Sequence, residues 1–267
     1  MMTPDEHGAS GGDEAEFGIA YGDAKFRVPC RPGRDHILDQ MRRTGSFYEL
    51  DLLRAIETEL AGRAGICLDI GANIGNHTLF FAGVVGRRTI AFEPVAGNLD
   101  VLTRLVAMNG GIGEMVTVAA CALSDEPGQL LMATLNPENP GMFRVTDKMS
   151  EGAETVEAMT LDAYLQTNGL ENTCIASIKI DVEGQELQVL AGATETLASG
   201  DCILSIEIAS RAIYRRILAM LTPFGFEPID VFCATPTVLF VRGAGKKKNE
   251  GRVIARLQAH EQIGRSL

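Results

Sequence analysis

The stretch LDIGANIGNHT, residues 68–78, constrains the fold of this chain more than any other. An apolar run ends in Asp69, passes Gly71 and Gly75 with Asn73 between them, and continues into a helix-forming segment. Strand, tight glycine turn and helix in that order make the first βα unit of an open α/β sheet. The unit then recurs. RTIAFEP predicts a strand and NLDVLTRLVAMN a helix ending at Gly110-Gly111, and MVTVAACAL predicts a third strand. SIKIDVEG predicts a fourth, with a helix from Gln185 to about Leu197. CILSIEI predicts a fifth, followed by a helix through RAIYRRILAML. Near-continuous apolar strands alternating with helices imply a parallel sheet covered on both faces. FEPIDVF and TVLFVRG are separated only by CATP, too short for a crossover helix, so one strand near the sheet edge must run in reverse.

Around this frame, EFGIAYGDAKFRVPC predicts a β-hairpin turning at Gly22-Asp23. Ser46 and Glu49 have the spacing of a capping box, which predicts a helix from Ser46 to Gly62. The expected organisation is an acidic, disordered tail over residues 1–16, a hairpin-and-helix extension over 17–65, the main domain over 66–243 with an insertion at 124–174, and a basic tail over 244–267. Within the insertion, GQLLMATL and ETVEAMTL are expected to pair, LNPENPG to turn, and LDAYLQTNG to form a short helix. The basic end reads as a mobile tail, or as a short amphipathic helix (Val253, Ile254, Leu257) that touches a membrane or a partner.

Composition excludes several classes. No apolar run approaches the roughly 20 residues of a membrane span, so no integral membrane segment is expected. The first 18 residues lack the basic and apolar regions of a signal peptide, which implies a cytoplasmic location. The net charge of −11 argues against nucleic acid as a partner and leaves a small-molecule acceptor. Six scattered cysteines read as buried apolar residues, and four histidines without ligand spacing give no metal site. His36 lies among Arg31, Arg34, Arg42 and Arg43, which reads as an anion site or as a solvated surface.

The turn itself has spacing GxxxG rather than GxGxxG, and a carboxylate at the strand end repels a pyrophosphate. Asp69 suits instead a ligand with an ammonium beside its carboxylate, such as S-adenosylmethionine (SAM). The ligand carboxylate would meet the backbone near Asn73 and the helix start. Glu93 ends the second strand, 22 residues after Gly71, where a carboxylate accepts ribose hydroxyls.

LDIGANIGNHT, AFEP (91–94), ALSDEPG (122–128), TLDAYL (160–165) and IKIDVEGQELQVLAGA (178–193) together resemble the FkbM-type SAM-dependent methyltransferases. FYELDLL (47–53) resembles a segment upstream of the first motif in some members. The resemblance implies a Rossmann-like class I methyltransferase fold, α/β in three αβα layers, with a seven-stranded mostly parallel sheet and one antiparallel strand. It also implies methyl transfer to a hydroxyl of a sugar or polyketide-like acceptor. Carried onto this chain, cofactor contacts fall on Asp69, Gly71, Ala72, Asn73, Gly75, Glu93 and Pro94, with the adenine near Ala122 to Ser124.

The proton of an alcohol needs an acceptor. Asp181 and Glu183 at the fourth strand end are the candidate bases, with His77 a third; Glu186 and Glu207 lie close by. Other arrangements stay open. The acids could hold Mg²⁺, or Asp181 could hold the SAM amino group while Glu183 caps a helix and Glu186 is solvated. Lys179 needs carboxylate partners if buried. Tyr48, Glu49 and Glu207 are the expected acceptor-side residues, with Phe47 beside them as part of a lid. The alternatives to methyl transfer are a nicotinamide-dependent oxidoreductase and a non-catalytic SAM-binding module.

Overall fold

The computed structural model describes residues 16–134, 143–150, 152–242 and 249–264. The expected acidic tail, apart from Glu16, and the LNPENPG turn lie outside them. The strands are β1 (Glu16–Tyr21), β2 (Ala24–Pro29), β3 (Ile66–Ile70), β4 (Thr89–Phe92), β5 (Val116–Ala119), β6 (Ala122–Leu123), β7 (Gly128–Thr134), β8 (Phe143–Val145), β9 (Glu154–Met159), β10 (Ile175–Ile180), β11 (Ile203–Glu207), β12 (Phe226–Phe232) and β13 (Thr237–Arg242). The helices are α1 (His36–Thr44), α2 (Leu50–Leu60), α3 (Asn76–Gly83), α4 (Ala96–Met108), α5 (Leu161–Thr167), α6 (Glu186–Ala191), α7 (Thr194–Ser199), α8 (Arg211–Leu221) and α9 (Glu250–Gly264).

The main sheet has seven strands in the order β12-β13-β11-β10-β3-β4-β5. All neighbours are parallel except β13, which runs antiparallel to both β11 and β12. This is the expected mostly parallel sheet with its single reversed strand one place from the edge. Alternate residues of each strand feed opposite faces. In β13, Val238 and Phe240 join one apolar cluster and Leu239 and Val241 the other. The first cluster holds α5 to α9; the second holds α1 to α4 with the β1–β2 hairpin. Three αβα layers result.

The order reverses at β3, since β4 and β5 extend to one side of it and β10 and β11 to the other. That is the switch point at which ligands sit in open α/β sheets. The hairpin is fixed onto α3 by edge-to-face rings. Phe47 stands 5.5 Å from Phe26 and 5.2 Å from Phe80, and Tyr21 stands 5.3 Å from Phe80.

Several elements differ from the sequence reading. No capping box forms at Ser46; α2 begins at Leu50, and Glu49 before it has a left-handed backbone, φ 54°, with no cap hydrogen bond. A helix that no motif announced, α1, precedes it. Asp35 caps that helix, its Oδ1 accepting from the N–H groups of Ile37 and Leu38. MVTVAACAL is divided between two sheets, because β6 leaves β5 to pair with β9. The insertion builds a separate sheet, β6-β9-β7-β8, in which β7 and β9 pair antiparallel as expected. The helix from Gln185 breaks at Gly192 into α6 and α7, where a Cβ would stand 2.1 Å from the Ser124 carbonyl oxygen. The basic end is no free tail over residues 250–264. Val253 and Leu257 are buried in the main core, and Arg252 and Arg256 pair with Asp230 of β12.

Candidate active site at the strand ends

Strand β3 delivers the chain into the glycine turn, and the turn is stitched to the end of β4. The N–H groups of Gly71 and Ala72 both donate to the Phe92 carbonyl. The N–H of Asn73 donates to Glu93 Oε2 at 2.8 Å, and Val95 N–H donates to Oε1 at 2.9 Å. Glu93 is therefore built into the turn as its anchor, and the Asn73 N–H expected to be free for a ligand is already engaged. With a side-chain bond from Asn98 as well, three accepted bonds still leave the carboxylate a lone pair to spare. Burial raises the Glu93 pKa to about 7. Gly71, at φ 77°, cannot be replaced, since a Cβ would lie 1.8 Å from the Asp181 carbonyl oxygen. Gly75, at φ 91°, lets α3 approach Leu102 and Leu105 of α4. Pro94, half-buried, follows Glu93. Ala122 and Ser124 are buried beyond the end of β5, and Ser124 N–H donates to the Met159 carbonyl.

Parallel register sets Lys179 of β10 opposite Asp69 of β3, and both face the α3 layer. Asp69 is fully buried. Its Oδ2 accepts from Thr78 Oγ1 at 2.6 Å; its Oδ1 makes no hydrogen bond and stands 3.4 Å from the Lys179 ammonium. Lys179 also donates to the Gly71 carbonyl at 2.6 Å and lies 3.6 Å from Asp181 Oδ2. Burial alone would depress the lysine, but Asp181, Asp69 and Glu49 outweigh it and raise its pKa above the usual range. Asp181, 38% exposed at its side chain, is the member of this group that meets open space.

Four further acids gather around Asp181. Glu183 has a left-handed backbone, φ 53°, and burial with the nearby Asp181 raises its pKa to about 7. Glu207, at the end of β11, is raised much further by burial and Asp181; keeping its proton, it hydrogen-bonds to Asp181. Glu186 is buried rather than solvated. Its Oε1 accepts from the N–H groups of Gly184 and Val182, which braces the turn ahead of α6, and no side chain caps that helix, so the capping role expected of Glu183 goes unfilled. Glu49 completes the set, raised by burial and Asp181 and hydrogen-bonded to the Cys233 thiol. Glu49, Asn73, Glu183 and Cys233 are the non-glycine residues with positive φ among the described residues. All four lie in loops or turns at the ends of the sheet strands or, for Glu49, packed against them. Such backbone cost gathers where side chains must be aimed.

His77 is buried in the first turn of α3, and burial followed by the Lys179 charge lowers its pKa to about 4. Its Nε2 has no hydrogen bond and faces Glu49 Oε2 at 3.7 Å, so a neutral imidazole, not an ion pair, sits there. Tyr48 is half-buried, its pKa raised by burial and by Glu49. Its backbone is clasped on both sides by Asn76. Tyr48 N–H donates to Asn76 Oδ1 at 2.9 Å, and Asn76 Nδ2 donates to the Tyr48 carbonyl at 3.0 Å. Sequence reading gave Asn76, Thr78 and Cys233 no role. Only the asparagine directly after Gly75 offered a local signal. The basic cluster near His36 is dispersed. Arg31 pairs with Asp35 and Asn98, Arg42 lies on Cys30 and the Phe17 ring, and His36 meets the Tyr48 ring edge-on at 5.8 Å.

Among the described residues, no group of three or more His, Cys, Asp or Glu side chains is placed to hold a metal ion. The Mg²⁺ alternative is therefore without support. No described helix is long and apolar enough to cross a membrane.

Residues 69–228, more than half of the chain, match the Methyltransferase FkbM domain family. The chain is 29% identical over 157 residues to a hexuronic acid methyltransferase, AglP, of Haloferax volcanii, covering 58% of this chain and 61% of that protein. It is 30% identical over 158 residues to the methyltransferase sdnD of Sordaria araneosa, covering 48% and 60% respectively. The matches thus span about three fifths of these curated relatives. Among solved structures, a methyltransferase FkbM from Methylobacillus flagellatus aligns with a TM-score of 0.47 at 18% identity, over 67% of this chain and 43% of that one.

Proposed function

The chain belongs to the FkbM methyltransferase family, and from that premise we propose that it transfers a methyl group from SAM to a hydroxyl of a small acceptor, a sugar or polyketide-like metabolite. The observation that carries this reading is the glycine turn held on Glu93 beside an acid-rich corner around one lysine. A ligand with both a sulfonium and an ammonium suits that corner. Glu93 would take a ribose hydroxyl with its remaining lone pair. Gly71, Ala72, Asn73, Gly75 and Pro94 would shape the backbone wall, and Ala122 to Ser124 the adenine end. Asp181, rather than the enclosed Asp69, would meet the ammonium.

When bound, the cofactor supplies an activated methyl, so the acceptor oxygen gains a C–O bond as the C–S bond breaks. The chain must orient that oxygen and take its proton. Glu183 is best matched to this task. It is half-exposed, and with a pKa of about 7 it accepts a proton at neutral pH and can release it again. His77, with a pKa of about 4, is a much weaker acceptor, and Glu207 already holds a proton.

The test has two stages. S-adenosylhomocysteine and SAM should raise the melting temperature, whereas NAD should not; stabilisation by NAD alone would sink the reading. Then Glu183→Gln should keep S-adenosylhomocysteine affinity within about threefold while transfer from labelled SAM into cell-extract acceptors falls about 10²-fold or more. Asp181→Asn should weaken cofactor binding as well.

A further inference from the structure

A cleft of about 320 Å³ opens beside the acid-rich corner. It is formed by α1 (Gln40, Thr44), Ser46, Phe47 and Glu49 to Leu52, and Cys233 in the turn between β12 and β13. Glu49 belongs both to the cleft and to the corner, since its carboxylate interacts with Asp181 and Lys179. The polar lining is Gln40, Thr44, Ser46, Glu49 and Asp51; no lysine, arginine or histidine contributes. Behind Glu49, the buried Nε2 of His77 is aimed at the carboxylate with no hydrogen-bond partner.

We propose that this cleft is the acceptor subsite, that it takes a hydroxylated ring bearing no negative charge, and that Glu49 is the residue that sets this charge preference. The proposal rests on the methyltransferase reading above. A carboxylate or phosphate on the acceptor would meet Glu49 at the wall and Asp181 and Glu183 beyond it. Of the nearby cations among the described residues, Lys179 is buried and engaged by Asp69, Asp181 and the Gly71 carbonyl, and the exposed Arg54 pairs with Asp51. Like charges at contact distance in a half-buried site are costly. A neutral polyol or an amino sugar meets hydroxyl, amide and carboxylate partners instead. The cleft volume is at the lower end of the roughly 300–1,000 Å³ that small-molecule sites occupy, which suits one sugar ring.

The Asn76 clasp gives the subsite its registration. Asn76 follows the glycine turn directly and holds the Tyr48 backbone by two hydrogen bonds, so the residue adjacent to Glu49 is tied to the cofactor loop.

The experiment compares methyl glucoside, methyl glucosaminide and methyl glucuronide as acceptors for labelled SAM. S-adenosylhomocysteine binding is measured first by calorimetry. The wild-type chain should favour glucoside or glucosaminide over glucuronide by at least about tenfold in kcat/KM. Glu49→Gln should shrink that ratio while cofactor affinity stays within about twofold. Should Glu49→Gln not fold, Thr44→Lys at the exposed rim serves instead and should shift the preference toward glucuronide. Equal or faster use of glucuronide, an unchanged ratio in the variant, or no transfer to any of the three with cofactor binding intact overturns the subsite. Failure of the wild-type chain to bind S-adenosylhomocysteine overturns the methyltransferase reading itself, so the two failures are distinguishable.

Discussion

At the scale of single residues, burial sets the chemistry more than residue type does. His77 and Glu93 are both buried near the glycine turn, yet their pKa values move in opposite directions, to about 4 and about 7. Each shift keeps the group uncharged. The consequences for stability are opposite in sign. A histidine depressed from 6.5 to about 4 binds its proton more readily when unfolded, so its contribution is complete above pH 6.5 and is lost as pH falls toward 4. A glutamate raised from 4.5 to about 7 contributes fully below 4.5 and loses that contribution as pH rises through 7. The two partly cancel in the wild-type profile, so the difference between variants is the quantity to measure. The stability of His77→Leu relative to wild type should improve by about 3 kcal/mol between pH 7 and pH 4. Urea unfolding at the two pH values checks this, and a pH-independent difference would contradict the assignment. These residues also show what was legible. Asp69, Gly71 and Glu93 stood out as a set in the sequence. That Asp69 faces Lys179, and Glu93 anchors the Asn73 N–H, depended on strand register.

At the scale of elements, the closing helix departs most from its sequence signal. Residues 246–267 carry six basic residues against two acids, the composition of a solvated end. Yet α9 places Val253 and Leu257 at 0% and 2% exposure against the main core, while its arginines reach Asp230. The three apolar positions Val253, Ile254 and Leu257 have helical spacing, and the face they make is covered by the chain's own sheet. Leu257→Ala should therefore destabilise the protein by roughly 2–5 kcal/mol and leave S-adenosylhomocysteine affinity unchanged, because α9 lies on the layer opposite the glycine turn. A loss below about 0.5 kcal/mol would return the segment to the status of a loose tail. The start of α2 has the converse history. Ser46 and Glu49 fit a capping box by spacing, but Glu49 is drawn into the corner near Lys179 and Cys233 and abandons the cap.

At the scale of the whole molecule, the hairpin and first two helices do not form a unit apart from the main domain. One apolar cluster joins Ile19, Phe26, Met41 and Leu53 to Phe80 of α3 and to Cys67, Leu239 and Val241 of the sheet. Thermal unfolding should then be a single transition, with calorimetric and van't Hoff enthalpies agreeing within about 10–15% and S-adenosylhomocysteine shifting the whole of it. Two resolved transitions would separate the extension from the sheet. The sequence by itself determined the layered α/β architecture, the reversed strand and the position of the glycine turn. Those follow from local facts: hydrophobic period, glycine spacing and a connection too short for a helix. Only the tertiary structure decided which acids are enclosed and which meet the cleft, that Glu186 is buried and braces the turn before α6, and that Asn76 ties Tyr48 to the turn. Each of those is a contact between segments distant in the chain, selected by register and packing, and no local pattern encodes it.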